Sequence, residues 1–387
     1  MNILFASQAR ISFIKLNTLI VAESIPSSSK RLMSLDFMRG LIMVLLALES
    51  TSLYEHLDKI SHSPFYSSFI QQFFHHPWNG LRFWDLIQPG FMFIAGTAMA
   101  LSLEKQRLKD VSWNESFKKV LKRSLLLFFW GVLDYAVKRN GSLSFELWDV
   151  LTQLAFTTLI AFLVFRWSYI SQIIFCILLL LLTEALYTFT NIPGFNEPFA
   201  DQHNFGNYVD LILMNKINDG GWVAINFIPT AVHTIAGAMA GKLILQTQKV
   251  KWLIIWGIFS LFTGYLLDIT DITPIIKRIA TSSFTLASLG WCLLALAFIY
   301  WWIDIRKHKK NLSFFIIVGV NSLFIYLFFE IVGSRWFNEY VGHISNGLMA
   351  LISTPKNLQL VITSLIIFAL EWHMCYFLYR KKVFIKL

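Results

Sequence analysis

Apolar residues run through this chain in long blocks, broken by short polar connections. Ten blocks reach the roughly 20 mostly apolar residues that a membrane-crossing helix needs: 35–53, 84–102, 119–137, 146–166, 168–187, 223–245, 250–268, 282–303, 313–334 and 357–379. Only the connections at 54–83, 188–222 and 335–356 are longer. No repeat recurs at a fixed period, and no linker is long enough to set off a soluble domain. The pattern predicts an all-α, polytopic membrane protein of about ten transmembrane helices. It forms one domain over 30–387, behind a poorly structured extension over 1–29.

Composition points the same way. Of 387 residues, 56% are hydrophobic and 14% charged, where a soluble domain carries about 25% charged. The three cysteines, Cys176, Cys292 and Cys375, lie inside apolar blocks with no framework spacing, which excludes a disulfide scaffold. The net charge of +10 is dispersed in short clusters between apolar blocks, so no nucleic-acid partner is expected. With the segment before the first span placed in the cytoplasm, 24 of the 33 lysines and arginines fall inside and nine outside. That bias predicts both termini in the cytoplasm; the inner, cytoplasmic membrane is the expected location. Arg10 and Lys15 precede a short apolar run, Leu16 to Ala22, but Lys30 and Arg31 follow at once; a loose cytoplasmic extension is expected there.

Ionisable residues inside spans are costly and therefore candidates for function. In this orientation Glu49, Asp85, Asp134, Asp149, Gln153 and Glu330 fall towards the outside, while Arg39, Lys122, Arg123 and Lys242 form a basic inner rim. A cation arriving from outside and an anion arriving from the cytoplasm would each meet opposite charge. The same gradient also follows from the positive-inside rule alone. Asn321 is suited to a hydrogen bond between helices, and Glu371 is expected to pair with His373.

The first outer loop holds four of the nine histidines: His56, His62, His75 and His76. An adjacent His-His pair cannot easily turn both rings to one ion, so a metal site is weakly supported. A general base is the better chemical reading, since imidazole titrates near neutrality. The bland alternative is an interfacial loop whose histidines and tryptophans sit at headgroup level.

The stretch Arg31-Leu-Met-Ser-Leu-Asp-Phe-Met-Arg-Gly40 resembles the start of the heparan-alpha-glucosaminide N-acetyltransferase family. His75 to Gly96, with Trp78-Asn79-Gly80, Asp85-Leu86-Ile87 and Phe91 to Gly96, resembles its second signature. Weaker matches follow in order: Asn204 to Asp210, Asn226 to Lys242, Thr281 to Leu286 and Val318 to Tyr326. The resemblance covers about residues 31–330. In the family, the histidine three residues before Trp-Asn-Gly is the proposed catalytic residue, which is His75 here. The family's Gln-Arg pair in span four appears as Thr152-Gln153.

The resemblance implies transfer of acetyl from cytoplasmic acetyl-CoA to an extracytoplasmic, glucosamine-like amine, without a metal. It implies catalytic roles for His75, Glu49 and Asp85, and acceptor binding by Trp78, Asn79, Asp149, Gln153 and Asn226. Arg39, Lys122, Arg123, Lys242 and Asn321 would hold the donor. A carboxylate near His75 would raise its pKa. The expected partners are the lipid bilayer and an amino sugar or glycan acceptor, with a homodimer left open. Two other readings stand beside this one: O-acylation of an envelope polysaccharide, and a secondary transporter carrying protons on Glu49 and Glu330.

Overall fold

The computed structural model describes residues 32–136, 143–247 and 250–385; the expected extension over 1–29 lies outside them. Among the described residues the fold is all-helical, with an isolated antiparallel bridge between Asn79 and Ile276. The helices relevant below are α1 (Met33–Ser50), α2 (Leu53–Asp58), α3 (Pro64–Ile70), α4 (Ile87–Arg107), α5 (Trp113–Ala136), α6 (Val150–Val164), α7 (Tyr169–Phe189), α8 (Phe205–Met214), α9 (Phe227–Thr247) and α10 (Val250–Ile269). They are followed by α11 (Ser282–Tyr300), α12 (Ser313–Val320), α13 (Ser322–Leu327), α14 (Asn338–Ala350) and α15 (Lys356–Arg380).

A helix lies in each of the ten apolar blocks, but not all are alike. Among the described residues, six helices are long and apolar enough to cross a membrane, or seven if the bent pair 313–320 and 322–350 is one span. The others fall short for physical reasons. Helix α1 carries Asp36, Arg39 and Glu49, α5 carries a cationic first half, and α6 has 15 residues. The block predicted as one span over 313–334 is broken after Val320, with a bend of 74°.

Helices α7 and α10 bury few side chains and turn Ile170, Leu181, Ile258 and Phe262 outward. In water those faces would be unsustainable; against lipid they are the expected surface. The centre is different. Helices α4 and α9 cross so closely that a side chain at Gly96 would strike the backbone of Thr234, and one at Gly237 that of Phe93. Small residues permit this approach, which replaces the hydrophobic drive missing between helices in lipid. The rigid α4–α9 pair carries the segment in which the candidate site begins.

Candidate active site

Where α1 ends and α4 begins, a cavity of about 260 Å³ opens between α1, α4, α5, α6, α13 and four connecting segments. Its walls include Glu49, His75, Trp148, Asp149, Trp222 and Lys277. Four of these six can carry charge at neutral pH, in a bundle otherwise dominated by apolar side chains.

The histidine is positioned by what surrounds Asp85. A short 3₁₀ turn over Phe83–Leu86 leads into α4, and Asp85 Oδ2 accepts hydrogen bonds from the backbone N–H groups of Arg82 at 2.9 Å and His76 at 3.2 Å. The other oxygen, Oδ1, lies 3.0 Å from His75 Nδ1. Arg82 closes the loop by donating from Nη1 to the His75 carbonyl at 3.1 Å. A hydrogen on Nδ1 donated to Asp85 leaves Nε2 as a proton acceptor. The adjacent histidines therefore differ in role: His75 uses its ring, while His76 contributes its backbone.

A third group completes this cluster. Lys277 Nζ lies 3.0 Å from His75 Nδ1, 3.8 Å from Asp85 Oδ1 and 5.1 Å from the Trp222 ring centre. Burial pushes the Lys277 ammonium down to about 8, against the pull of Asp85 and Glu49. Burial and then the Lys277 charge hold His75 below the ordinary imidazole value of 6.5, against Asp85. The lift expected from acidic neighbours is thus reversed: the sequence reading counted the carboxylates but missed both the burial and the lysine.

Of the other expected residues, Glu49 and Asp149 line the cavity. Glu49 Oε1 accepts from Trp84 Nε1 at 3.1 Å and makes no hydrogen bond to His75. Asp149 caps α6 through the Leu151 N–H at 2.7 Å, and its second oxygen accepts from the Tyr326 hydroxyl at 2.8 Å. Gln153 lies one step behind the wall, accepting from Gln88 at 2.6 Å.

Trp78, Asn79 and Asn226 do not line the cavity; they shape a loop. Trp78 Nε1 donates to the Phe199 carbonyl at 2.7 Å, Asn79 pairs with Ile276, and the Gly80 N–H donates to Ile275 at 2.7 Å. Gly80 has φ of 138°, and a Cβ there would meet the His76 ring, so only glycine fits. Asn226 donates from Nδ2 to the Arg278 carbonyl. The Trp-Asn-Gly signature thus fastens residues 275–278 beside His75.

The expected donor residues do not gather at one place. Arg39 lies 3.8 Å from Asp36 on its own helix, and its charge reaches Arg123. Lys122 is exposed. Lys242 donates to the Phe165 carbonyl at 3.0 Å beneath Tyr169. Asn321 is fully buried at the bend between α12 and α13 and accepts from the Ile385 N–H at 3.2 Å. None of the five lines the cavity. Glu371 is buried, whereas His373 is exposed and faces the Trp372 and Tyr376 rings; the expected pair is not formed. Helical spacing rules it out, since residues two apart point away from each other.

Sequence reading missed Lys277, Trp148 and Trp222. One signal was present: Lys277 and Arg278, like Lys138 and Arg139, form an adjacent basic pair that the expected topology leaves outside.

Fold and site together define a helical membrane protein with a histidine–carboxylate pair on the wall of a charged cavity. The chain belongs to the heparan-alpha-glucosaminide N-acetyltransferase family, whose catalytic-region model matches residues 31–267. The mouse heparan-alpha-glucosaminide N-acetyltransferase is 22% identical over 434 aligned positions, which take in 94% of this chain. The chain spans 62% of the length of that relative.

Proposed function

We propose that this chain is a transmembrane N-acetyltransferase that moves acetyl from cytoplasmic acetyl-CoA to a glucosamine-like amine across the membrane. The observation that carries the proposal is the pairing of His75 Nδ1 with Asp85 on the wall of the cavity, within the matched region. The acceptor amine attacks the thioester carbonyl, so that a C–N bond forms and the C–S bond breaks. His75 Nε2 takes the amine proton and passes it to the departing thiolate. A positioned general base contributes about 10²–10⁴ in rate. Glu49 and Asp149, on the same wall, attract the cationic form of the acceptor before it loses its proton.

In this reading the ten helical segments all cross the membrane, both termini are cytoplasmic, and His75 faces outward. The donor phosphates approach from the Arg39 end. The bend at Asn321 is the kind of interruption that transporters use. Here the asparagine oxygen is taken by the Ile385 N–H, and the residue lies off the cavity, which favours the enzyme.

The deciding experiment supplies radiolabelled acetyl-CoA and a panel of amino sugars to membranes containing the chain. N-acetylated sugar with release of free CoA is the expected result. Label found only on hydroxyl groups would establish the O-acyltransferase reading, and proton-coupled sugar uptake without acetylation would establish the transporter.

A further inference from the structure

We propose that Lys277 is a positioning residue whose ammonium holds the His75 imidazole in its neutral, proton-accepting state. This rests on His75 being the base. The geometry leaves Nδ1 between two groups, Asp85 Oδ1 and Lys277 Nζ, each 3.0 Å away. A ring nitrogen has room for one hydrogen. With that hydrogen donated to Asp85, the ammonium turns to Asp85 and to the Trp222 face, 5.1 Å from its centre. A second proton, on Nε2, would put two cations 3.0 Å apart in a buried site, where like charges repel most.

The surroundings explain why such a group is needed. Asp85 is bonded to the ring, and Glu49, Asp149 and Glu330 share the cavity. Those acids favour the protonated ring, and the Lys277 charge opposes them alongside burial. Arg82 bonds the His75 carbonyl, and Arg278 adds a weaker positive charge, but Lys277 alone among the described cations touches the ring. It is 6% exposed and cannot swing away. Its loop is tied at both ends, by the Ile275 N–H to Asp268 at 2.8 Å and by Asn226 to the Arg278 carbonyl.

The test uses the full chain in lipid nanodiscs with Lys277→Met and Lys277→Arg. Diethyl pyrocarbonate reacts with neutral imidazole, and the His75 side chain, 34% exposed, is within its reach. Mass spectrometry of the His75 peptide gives the extent of reaction between about pH 5 and 8. In Lys277→Met the midpoint should rise by roughly one pH unit, and the acid limb of acetyl transfer should rise with it. Lys277→Arg, which keeps the charge, should stay near the wild-type midpoint. An unmoved midpoint in a folded Lys277→Met protein overturns the proposal; if that variant does not fold, Lys277→Gln takes its place. The two ideas fail separately: an active His75→Ala variant refutes the base, while the modification midpoint judges Lys277 without any turnover.

Discussion

At the His75 end of the bundle, charges from distant parts of the chain converge: Glu49 from α1, Asp85 ahead of α4, Asp149 at the start of α6 and Lys277 after α10. At the Arg39 end, most charges are settled close to where they arise, although the Arg39 charge also reaches Arg123. Arg39 lies beside Asp36 on its own helix, Lys242 is bonded to a carbonyl at the end of the neighbouring helix, and Lys122 is exposed. Convergence is the costly arrangement, because charges removed from water must find partners. Chemistry at a single atom needs it. Attraction of a polyanion does not, since separate cations at a membrane surface each add favourable potential.

The sharpest way to break this comparison is at the converging end. His75→Ala should lower kcat by about 10²–10⁴, with little loss of expression. His76→Ala should stay within roughly tenfold of wild type by the same standard, because Asp85 is bonded to the backbone N–H of that residue, which alanine keeps. Equal losses in the two variants would show that the pair is not divided into ring and backbone roles. In the wild type, the acid limb of the rate profile should lie below pH 6.5, since burial and Lys277 both depress His75.

A smaller effect should come from Glu49→Gln. Glutamine keeps an oxygen for the Trp84 indole, so the fold should hold while one negative charge leaves the cavity. The KM of the amine acceptor should rise by roughly threefold, the worth of a partly exposed ion pair. The acid limb should shift slightly to lower pH, opposite in sign to Lys277→Met. An unchanged KM and pH profile with a lower melting temperature would reduce Glu49 to a bond between helices.

The smallest effects belong to the Arg39 end. Lys242→Ala should raise the acetyl-CoA KM by no more than about twofold to fivefold, within the range of an exposed ion pair, and added salt should erase the difference. Sealed vesicles with acetyl-CoA trapped on the Arg39 side should acetylate an acceptor supplied on the other. Activity with donor and acceptor on the same side only would refute the opposed placement of the two ends.

Much of the helical framework was legible because apolar blocks are a local signal: each of the ten blocks holds a helix. Their lengths and the bend at Asn321 were not legible, since a buried asparagine bonded to Ile385 depends on a segment far along the chain. His75 and Asp85 could be found because they lie ten residues apart in one signature. Lys277 could not, because nothing near it in sequence marks it as buried beside a histidine. Trp78, Asn79 and Asn226 were located, but the bonds by which they shape a loop were not. A motif shows that side chains are required; whether they touch a ligand or a loop is decided by tertiary contacts.

The 202 residues between His75 and Lys277 also bear on how the protein is made. At about 5–20 residues per second, a ribosome finishes the histidine segment roughly 10–40 s before it reaches the lysine. During that interval neither Lys277 nor the wall contributed by residues 275–278 yet exists. The nascent chain therefore carries His75 before the cavity it lines has formed. That cavity is complete only once residues 275–278 have docked against Asn79 and Gly80.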